Sequence, residues 1–501
     1  MRPFSPHAPF RLALAYANSY EVGMSSLGFQ RVYELIHDVP GWSCERFFTD
    51  GIGMPLSVET GSPLTDFGCV AFSVSFEEDY VHLLRMLDRA RVPLRRRERG
   101  PWDPLVVMGG SCAAINPLPM ADFVDVFALG AAENLLPRLL PALAGERERE
   151  AVLERLAACD GFYVPERHDV AGGELPKLRK LELTGEQMAR PGHLPASAIV
   201  TPRTEFAEKV LVEMSRGCPE KCRYCWATFG MGKFRWHPTE FILGSFDRAR
   251  AVTDQIGFVA TAVGDHPEIE RILAAAYEMG FRASVSSIRI PAVTAGVLEP
   301  LAASGARSIT LAPETGSDAL RLAMNKPISN DFLLEKVRLI FRHGFTQLKL
   351  YFIVGLPGET MDDVAAIARL AAACRAIMLE ETRTTGAAGH VHLGVNVLIP
   401  KPYTPWQREP MDEEATLKRK LSMLKKNVAT LANVSMSCMS IRQAVWQTYV
   451  SRAGSDAAEA LERAARGQPL ASLLRDFAER IRPEVFQPFP RDLRWQFLRL
   501  G

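Results

Sequence analysis

The sequence predicts an α/β protein: a doubly wound, Rossmann-like parallel-sheet domain, then a partial (β/α)6 barrel, then a helical carboxy-terminal region. Three observations lead to this fold class. Short apolar runs alternate with amphipathic stretches, which is typical of parallel sheets covered by helices. The alternation stops in a stretch rich in Pro, Gly and charged residues and then resumes. After the second alternation only patterns of helical period remain, so the chain is predicted to have three structured regions and one linker.

The first alternation predicts the parallel-sheet domain over residues 1–165. Each candidate strand is a short apolar run that a loop or a helical stretch follows. Ligands of such sheets bind beyond the carboxyl ends of the strands, so the loops at those ends are candidate binding segments. The four candidate strands are 11–17, 69–76, 104–110 and 124–130.

The second alternation predicts the barrel over residues 201–412. A linker or covering segment at 166–200 precedes it, and the helical region at 413–501 follows it. Six strand–helix units favour a partial barrel, although missed units would leave a full eight-unit barrel open. The six candidate strands are 209–215, 258–264, 282–290, 307–313, 347–355 and 392–399.

Composition and charge exclude several classes of protein. The net charge of +1 over 501 residues gives no global field toward nucleic acid or membrane. The nine cysteines are scattered, unlike a secreted disulfide framework. No run of about 18 apolar residues occurs, and the start resembles a strand more than a signal peptide. We therefore expect a cytoplasmic protein without membrane partners.

Three neighbouring cysteines form the most informative motif of the chain. Cys218, Cys222 and Cys225 lie within eight residues, directly after a predicted strand. Thiolates are the usual protein ligands of iron–sulfur clusters, and a set of three leaves one iron open to another donor. Structural zinc normally takes four ligands, so zinc stays an alternative with His237 as the fourth. Three unliganded core cysteines are a weaker alternative, because the charged residues between them indicate an exposed loop.

The pattern Cys-x-x-x-Cys-x-x-Cys, with Tyr224 just before the third cysteine, resembles the signature of radical S-adenosylmethionine (SAM) enzymes. The resemblance implies that the three cysteines hold a [4Fe–4S] cluster whose open iron is chelated by the methionine part of SAM. It also implies reductive cleavage of SAM to a 5′-deoxyadenosyl radical. Active sites of such barrels lie at the carboxyl ends of strands, where this motif is predicted to lie.

Segments after three later strands resemble SAM-binding loops of that family. Glu314 could accept hydrogen bonds from the ribose hydroxyls or the ammonium group of SAM, or it could simply favour a helix start. The segment 355–359 resembles the adenine-supporting segment, although a structural turn would also explain its glycines. The usual Gly-Gly-Glu is absent at 264–265, where a plain turn is an equal alternative. The implied SAM contacts are Tyr224, Gly264, Asp265, Glu314, Gly355, Pro357 and Gly358.

The chain from residue 1 to about 450 resembles a subgroup of radical SAM proteins, of unassigned activity, in which a cobalamin-binding-like domain precedes the barrel. The resemblance rests on the segments 20–25, 109–112, 116–117, 312–314 and 325–326. It implies a cofactor that lies between the two domains and donates a methyl group. Two features depart from the pattern of cobalamin-binding relatives. No Asp-x-His-x-x-Gly motif supplies an axial histidine, and the segment 130–133 is less acidic than in relatives. The implied cobalamin contacts are Tyr20, Gly23, Ser73, Ser75, Gly109, Gly110 and Gly130.

Three functions remain open from the sequence. The leading hypothesis is a radical SAM enzyme that uses cobalamin to methylate an unactivated carbon. The second is a radical SAM rearrangement or hydrogen-abstraction enzyme without cobalamin, and the third is a non-catalytic iron–sulfur or zinc protein. We expect an electron donor such as flavodoxin or ferredoxin as a partner. The sequence assigns neither the substrate nor the individual catalytic residues, and it does not indicate nucleic acid.

Overall fold

The amino-terminal region is built on one mixed sheet. The computed structural model describes residues 4–145, 148–169, 175–383, 388–490 and 493–500. In these residues the strand order is β2-β1-β3-β4-β5-β6, parallel except for the β5–β6 pair. The strands are β1 (Phe10–Tyr16), β2 (Trp42–Phe47), β3 (Cys69–Ser73), β4 (Leu105–Gly109), β5 (Val126–Ala128) and β6 (Phe162–Tyr163). The helices are α1 (Tyr20–Met24), α2 (Leu27–Asp38), α3 (Asp79–Arg89), α4 (Ser111–Ile115), α5 (Ala132–Gly145), α6 (Arg149–Ala157) and α7 (Pro165–His168).

Helices cover both faces of this sheet, because successive strand residues point to opposite sides. Leu12 and Leu14 pack in a core with Leu139 of α5, whereas Ala13 packs in the core that contains Leu83 of α3. The doubly wound domain predicted from the sequence is therefore confirmed.

A segment after this domain connects it to the barrel. The segment contains β7 (Leu178–Arg179) and α8 (Gly185–Met188), and its residues 170–174 lie outside the described residues. The amide of Ala131 donates to the carbonyl of Leu181 over 2.7 Å. Further along, the amide of Ser197 donates to a carbonyl of the first barrel strand over 2.9 Å. The predicted linker therefore also covers the junction between the two domains.

One glycine permits this contact between the segment and the sheet. Gly130 has φ +130°, and a Cβ there would lie 2.0 Å from the Leu181 carbonyl oxygen. We expect Gly130→Ala to lose about 2–4 kcal/mol of unfolding free energy, from backbone strain and steric overlap. Gly28 in α2 has no atom nearer than 3.9 Å to such a Cβ, so Gly28→Ala should be neutral or stabilising. Urea unfolding measures both, and equal stability of the two variants would contradict this reading.

The second region forms the partial barrel that the sequence predicts. Two parallel sheets of order β11-β10-β8-β9 and β12-β13-β14-β15 make its wall, with β9 antiparallel to β8. A hydrogen bond of 3.1 Å from the amide of Ile288 to the carbonyl of Thr310 joins the two sheets. The strands are β8 (Val210–Arg216), β9 (Arg235–Trp236), β10 (Gln255–Ala260), β11 (Arg282–Val285), β12 (Ser308–Glu314), β13 (Gln347–Val354), β14 (His390–Val397) and β15 (Val434–Cys438).

Helices alternate with the strands of the barrel region. The helices are α9 (Trp226–Gly230), α10 (Thr239–Gly244), α11 (Phe246–Arg250), α12 (Ile269–Glu278), α13 (Ala295–Ala303), α14 (Asp318–Ala323), α15 (Asn330–Arg342), α16 (Met361–Glu381) and α17 (Glu414–Ala429). All six predicted strands are present, and β15 adds a seventh parallel strand inside the region predicted to be helical.

The carboxy-terminal helices pack against the amino-terminal domain as well as the barrel. They are α18 (Ile441–Arg452), α19 (Ala458–Ala465), α20 (Leu470–Asp476) and α21 (Ala478–Phe486), followed by β16 (Leu498–Arg499), which pairs with β7. Arg85 of α3 donates to the carbonyls of Ala464 and Ala465 at the end of α19. Within the described chain, no helix combines the length and apolar character needed to cross a bilayer.

Candidate functional site

The three clustered cysteines lie on the loop between β8 and α9. Gly217 begins this loop with φ +77°, where a Cβ would lie 2.9 Å from a backbone oxygen. Cys222 is buried, whereas Cys218 and Cys225 are half-buried, and all three are free thiols. Burial raises the pKa of each thiol, that of Cys222 to about 11. The thiols are therefore protonated at neutral pH until a metal displaces the protons.

This donor set fits an iron–sulfur cluster. Cys218, Cys222 and Cys225 lie on one short loop between β8 and α9, so their thiols are near neighbours. No three His, Cys, Asp or Glu side chains of the described residues converge at the spacing of a single metal ion. In a [4Fe–4S] cubane each thiolate binds a different iron, so the three sulfur atoms lie around the whole cluster and not around one ion. The loop thus offers thiolates for three corners of a cluster.

His237, the candidate fourth zinc ligand, already has partners on both ring nitrogens. Its Nε2 lies 3.2 Å from Glu213 Oε2 and its Nδ1 lies 3.3 Å from the carbonyl of Met188. The ring is fully buried. A role in coordinating zinc with the cysteine loop would require breaking both contacts, so the structure disfavours the zinc alternative.

Tyr224 and Glu314 contact each other, although 90 residues separate them. The Tyr224 hydroxyl donates to Glu314 Oε1 over 2.7 Å, and Lys326 Nζ donates to the same oxygen over 2.8 Å. Glu314 ends β12 with φ +67°, an uncommon conformation for a residue other than glycine. The amide of Arg223 also donates to the carbonyl of Met324 over 3.0 Å. The segment after β12 therefore holds the cysteine loop in place.

This contact predicts a positioning role for Glu314 that does not depend on SAM. In Glu314→Gln the ammonium of Lys326 would lose its carboxylate partner, at a cost of about 1–3 kcal/mol. We expect a lower unfolding temperature without SAM and less iron retained after cluster reconstitution. Glu299→Gln is the control, because the Glu299 side chain is 70% exposed. Unchanged stability and iron content in Glu314→Gln would show that Glu314 does not support the loop.

A second link joins the cysteine loop to the end of β10. Arg289 pairs with Glu220, which lies between Cys218 and Cys222, and its Nε lies 2.7 Å from Asp265 Oδ2. Burial raises the pKa of Asp265, although the guanidinium of Arg289 opposes the shift. Gly264 packs against the turn that follows β11, since a Cβ there would lie 2.5 Å from the Cβ of Ala292. Asp265 thus fixes the loop through Arg289, and Gly264 permits close packing.

The turn after β13 is anchored to α17. The amide of Gly355 donates to Glu359 Oε2 over 2.7 Å, and Lys420 Nζ lies 2.9 Å from that oxygen. Pro357 is half-buried and Gly358 is exposed, with φ +77° and no atom within 4 Å of a Cβ built on it. The turn therefore has a fixed backbone at Gly355 and open space above Gly358.

A cavity of about 540 Å³ lies between the amino-terminal sheet and the first barrel strands. Five of the seven predicted cobalamin contacts line it: Ser73, Ser75, Gly109, Gly110 and Gly130. On the barrel side, Arg216 and Trp226 line it and flank the cysteine loop. The hydroxyl of the buried Ser215 and the indole N–H of Trp226 have no hydrogen-bond partner within the described residues. Two buried donors without a partner thus belong to residues that line the cavity next to the cysteine loop.

Four of the predicted cobalamin contacts have structural roles. Two of them lie away from the cavity, and two line it. Tyr20 packs edge-on against the Phe48 ring, and a Cβ on Gly23 would lie 2.5 Å from that ring; neither residue lines the cavity. A Cβ on Gly110 would lie 2.4 Å from the Val74 carbonyl oxygen. A Cβ on Gly130 would likewise overlap the Leu181 carbonyl oxygen. The close backbone contacts therefore explain the glycines at positions 110 and 130 without a ligand.

Sequence reasoning missed the charged pair that joins the two domains at this cavity. Arg216 Nη2 donates to Glu133 Oε1 over 3.0 Å, and Arg31 Nε lies 3.5 Å from the same oxygen. Burial raises the pKa of Glu133, but Arg216 and Arg31 hold it below its ordinary value. The one available signal was position, since Arg216 directly precedes the cysteine loop and Glu133 follows β5.

Two sequence profiles match the regions described above. Residues 28–165 match the N-terminal region of radical SAM proteins, and residues 212–371 match the radical SAM superfamily. A protein of Methanocaldococcus jannaschii, itself uncharacterised, is 24% identical over 417 residues, which cover 83% of this chain and 82% of the relative. The chain therefore carries a radical SAM domain, preceded by the N-terminal region of radical SAM proteins, and the resemblance predicted from the cysteine motif is confirmed.

Two solved structures align with part of this chain. The cobalamin-dependent S-adenosylmethionine radical enzyme OxsB with aqua-cobalamin bound aligns with a TM-score of 0.49 and 16% identity, over 73% of this chain and 52% of OxsB. SuiB of Streptococcus suis aligns with a TM-score of 0.32 and 14% identity, over 46% of this chain and 49% of SuiB. The chain thus matches about half the length of each.

Proposed function

We propose that this protein is a radical SAM enzyme whose Cys218, Cys222 and Cys225 hold a [4Fe–4S] cluster. The observation that carries the proposal is the three free thiols on one loop, held from two sides by Glu314 and Arg289. When bound, the cluster supplies the electron that cleaves SAM to methionine and a 5′-deoxyadenosyl radical. A donor such as flavodoxin or ferredoxin would supply that electron in turn.

The residues of the chain contribute positioning. Tyr224, Glu314 and Lys326 fix the loop against the end of β12. Arg289 neutralises Glu220 within the loop and Asp265 beside it. Gly355, Pro357 and Gly358 form the turn whose sequence resembles the adenine-supporting segment of the family. Because such groups are fixed before ligand binds, they avoid an ordering cost when SAM is bound.

We also propose that the interdomain cavity takes a corrinoid and that the reaction is methylation of an unactivated carbon. Support comes from the position of the cavity beside the cysteine loop and from the unpartnered donors of Ser215 and Trp226. Gly109 leaves room at the end of β4, since a Cβ there meets nothing nearer than 3.8 Å. The remaining predicted contacts at Ser73 and Ser75 lie at the same sheet edge.

Hydroxocobalamin binding to the anaerobically reconstituted protein tests this second part. We expect a corrinoid absorbance that co-elutes with the protein and is reduced in Gly109→Leu, which fills the cavity without backbone strain. A protein that contains its cluster and cleaves SAM but binds no corrinoid would instead be a radical SAM rearrangement or hydrogen-abstraction enzyme. A protein that contains its cluster and cleaves no SAM would be a non-catalytic iron–sulfur protein.

A further inference from the structure

The inner face of the second barrel sheet is polar, whereas its outer face is apolar. Leu348, Leu350, Val391 and Leu393 alternate on the outer face and are fully buried. The intervening residues of β13 and β14 face the side without helices and are largely solvent-accessible. Barrel interiors are usually filled with packed branched side chains. The inner face of this half of the barrel is therefore open to solvent and is not packed as a core.

Neighbouring strands arrange these inner side chains in rows. One row crosses four strands: Thr310 pairs with Lys349, Lys349 with His392, and His392 with Ser435. His392 Nδ1 lies 2.8 Å from the Ser435 hydroxyl, and its Nε2 lies 3.0 Å from the Ser437 hydroxyl. The next row toward the strand starts contains His390, whose Nε2 lies 2.7 Å from the same Ser435 hydroxyl.

The ammonium group of Lys349 gives these rows a positive charge that no described carboxylate neutralises. Lys349 has no hydrogen bond or ion pair with any described residue, and its exposed ammonium group stands beside His392. Among the described residues, Glu314 is the carboxylate on the inner face of β12–β15. It lies at the carboxyl end of β12 and already accepts a hydrogen bond from Lys326. Burial, Lys349 and His390 together lower the pKa of His392, and no carboxylate opposes them. An anion bound here would pair with the Lys349 ammonium group.

The geometry points to a substrate with an oxyanion group, a carboxylate or a phosphate, that Lys349, His390 and His392 bind inside the barrel. This inference rests on the proposed function, because only a SAM-cleaving enzyme makes the lumen a substrate site. Lys349 and His392 each lie five residues before the last residue of their strand. At 3.3 Å per residue, the anion would lie about 16 Å below the strand ends. The substrate would therefore be elongated, with its reacting carbon distant from its negative charge.

Tyr351 supports an extended ligand above the anion site. It lies one row nearer the strand ends, and its ring is packed so closely over Gly394 that a Cβ there would lie 2.7 Å from it. The side chain is 41% exposed. An exposed aromatic ring fixed over a glycine offers a flat apolar surface to the middle of such a substrate.

Calorimetric titration of the reconstituted full-length protein tests the inference, with inorganic phosphate and acetate as probes at constant ionic strength. We expect at least one probe to bind, with affinity reduced about tenfold in Lys349→Gln and largely kept in Lys349→Arg. Preference for one probe distinguishes a phosphate substrate from a carboxylate substrate. Lys336→Gln on the outer helix α15 is the matched control and should bind like the wild type.

Two results would overturn the inference: no binding of either probe, or binding that Lys349→Gln leaves unchanged. His392→Gln gives a second test should Lys349→Gln not fold, which circular dichroism would show. The titration uses neither SAM nor reductant, so its failure is distinct from failure of the proposed function. That function is tested separately by SAM cleavage in the wild-type protein.

Discussion

Cys222→Ala is expected to abolish the iron–sulfur cluster and all SAM cleavage. Cys222 is the central thiol of the loop and is 7% exposed. Without it two thiolates remain, and a two-thiolate set leaves the cubane too weakly held to survive reconstitution. Iron and sulfide counts should fall from about four per chain to near zero, and 5′-deoxyadenosine should fall below detection.

Cys159→Ala provides the matched control for this prediction. Cys159 is a half-buried free thiol of the amino-terminal domain, like Cys218 and Cys225, but it lies outside the loop. It should keep full iron content and full SAM cleavage. Retention of the cluster by Cys222→Ala, or its loss from Cys159→Ala, would show that the cluster is held elsewhere.

Arg321→Met should cause the largest loss of stability of any single substitution considered. Arg321 is fully buried, and its guanidinium donates to the carbonyl of Thr315 over 2.8 Å and to that of Ile328 over 2.6 Å. Its Nε also lies 3.2 Å from the carbonyl of Pro313. Met would fill similar volume but leave these carbonyls without donors, at a total cost of about 3–5 kcal/mol.

The consequence should extend to the site, because the segment that Arg321 organises carries Glu314 and Lys326. We expect a lower midpoint of urea unfolding together with faster cluster loss in air. Arg307→Met is the control, since Arg307 is exposed and should change stability by less than about 0.5 kcal/mol. An Arg321→Met protein as stable as Arg307→Met would refute the organising role.

Much of the fold could be predicted, because parallel strands that are buried on both faces are apolar runs. β2 was missed because its sequence is polar: Glu45 is fully buried, pairs with Arg11 and accepts from Ser57 over 2.6 Å. Such pairing allows charged residues in a buried strand, and the partners are distant in sequence. β15 was missed because it is short and its Ser435 and Ser437 face histidines of the barrel lumen.

The candidate site was predictable where its residues are local and not where they are long-range. The cysteine motif is contiguous, so its position after a strand followed from the sequence. The bond between Tyr224 and Glu314, and the need for glycine at position 130, depend on residues far along the chain. The role of Gly264 likewise follows from Ala292, which packs on it. Contacts of this kind emerge only when the strands are assembled.

The measurement that tests the central claim most directly is the formation of 5′-deoxyadenosine. The anaerobically reconstituted protein is incubated with SAM and dithionite, and the products are separated by chromatography. We predict 5′-deoxyadenosine from the wild-type protein and from Cys159→Ala, and none from Cys222→Ala. A wild-type protein that contains four irons and yields no 5′-deoxyadenosine would contradict the account.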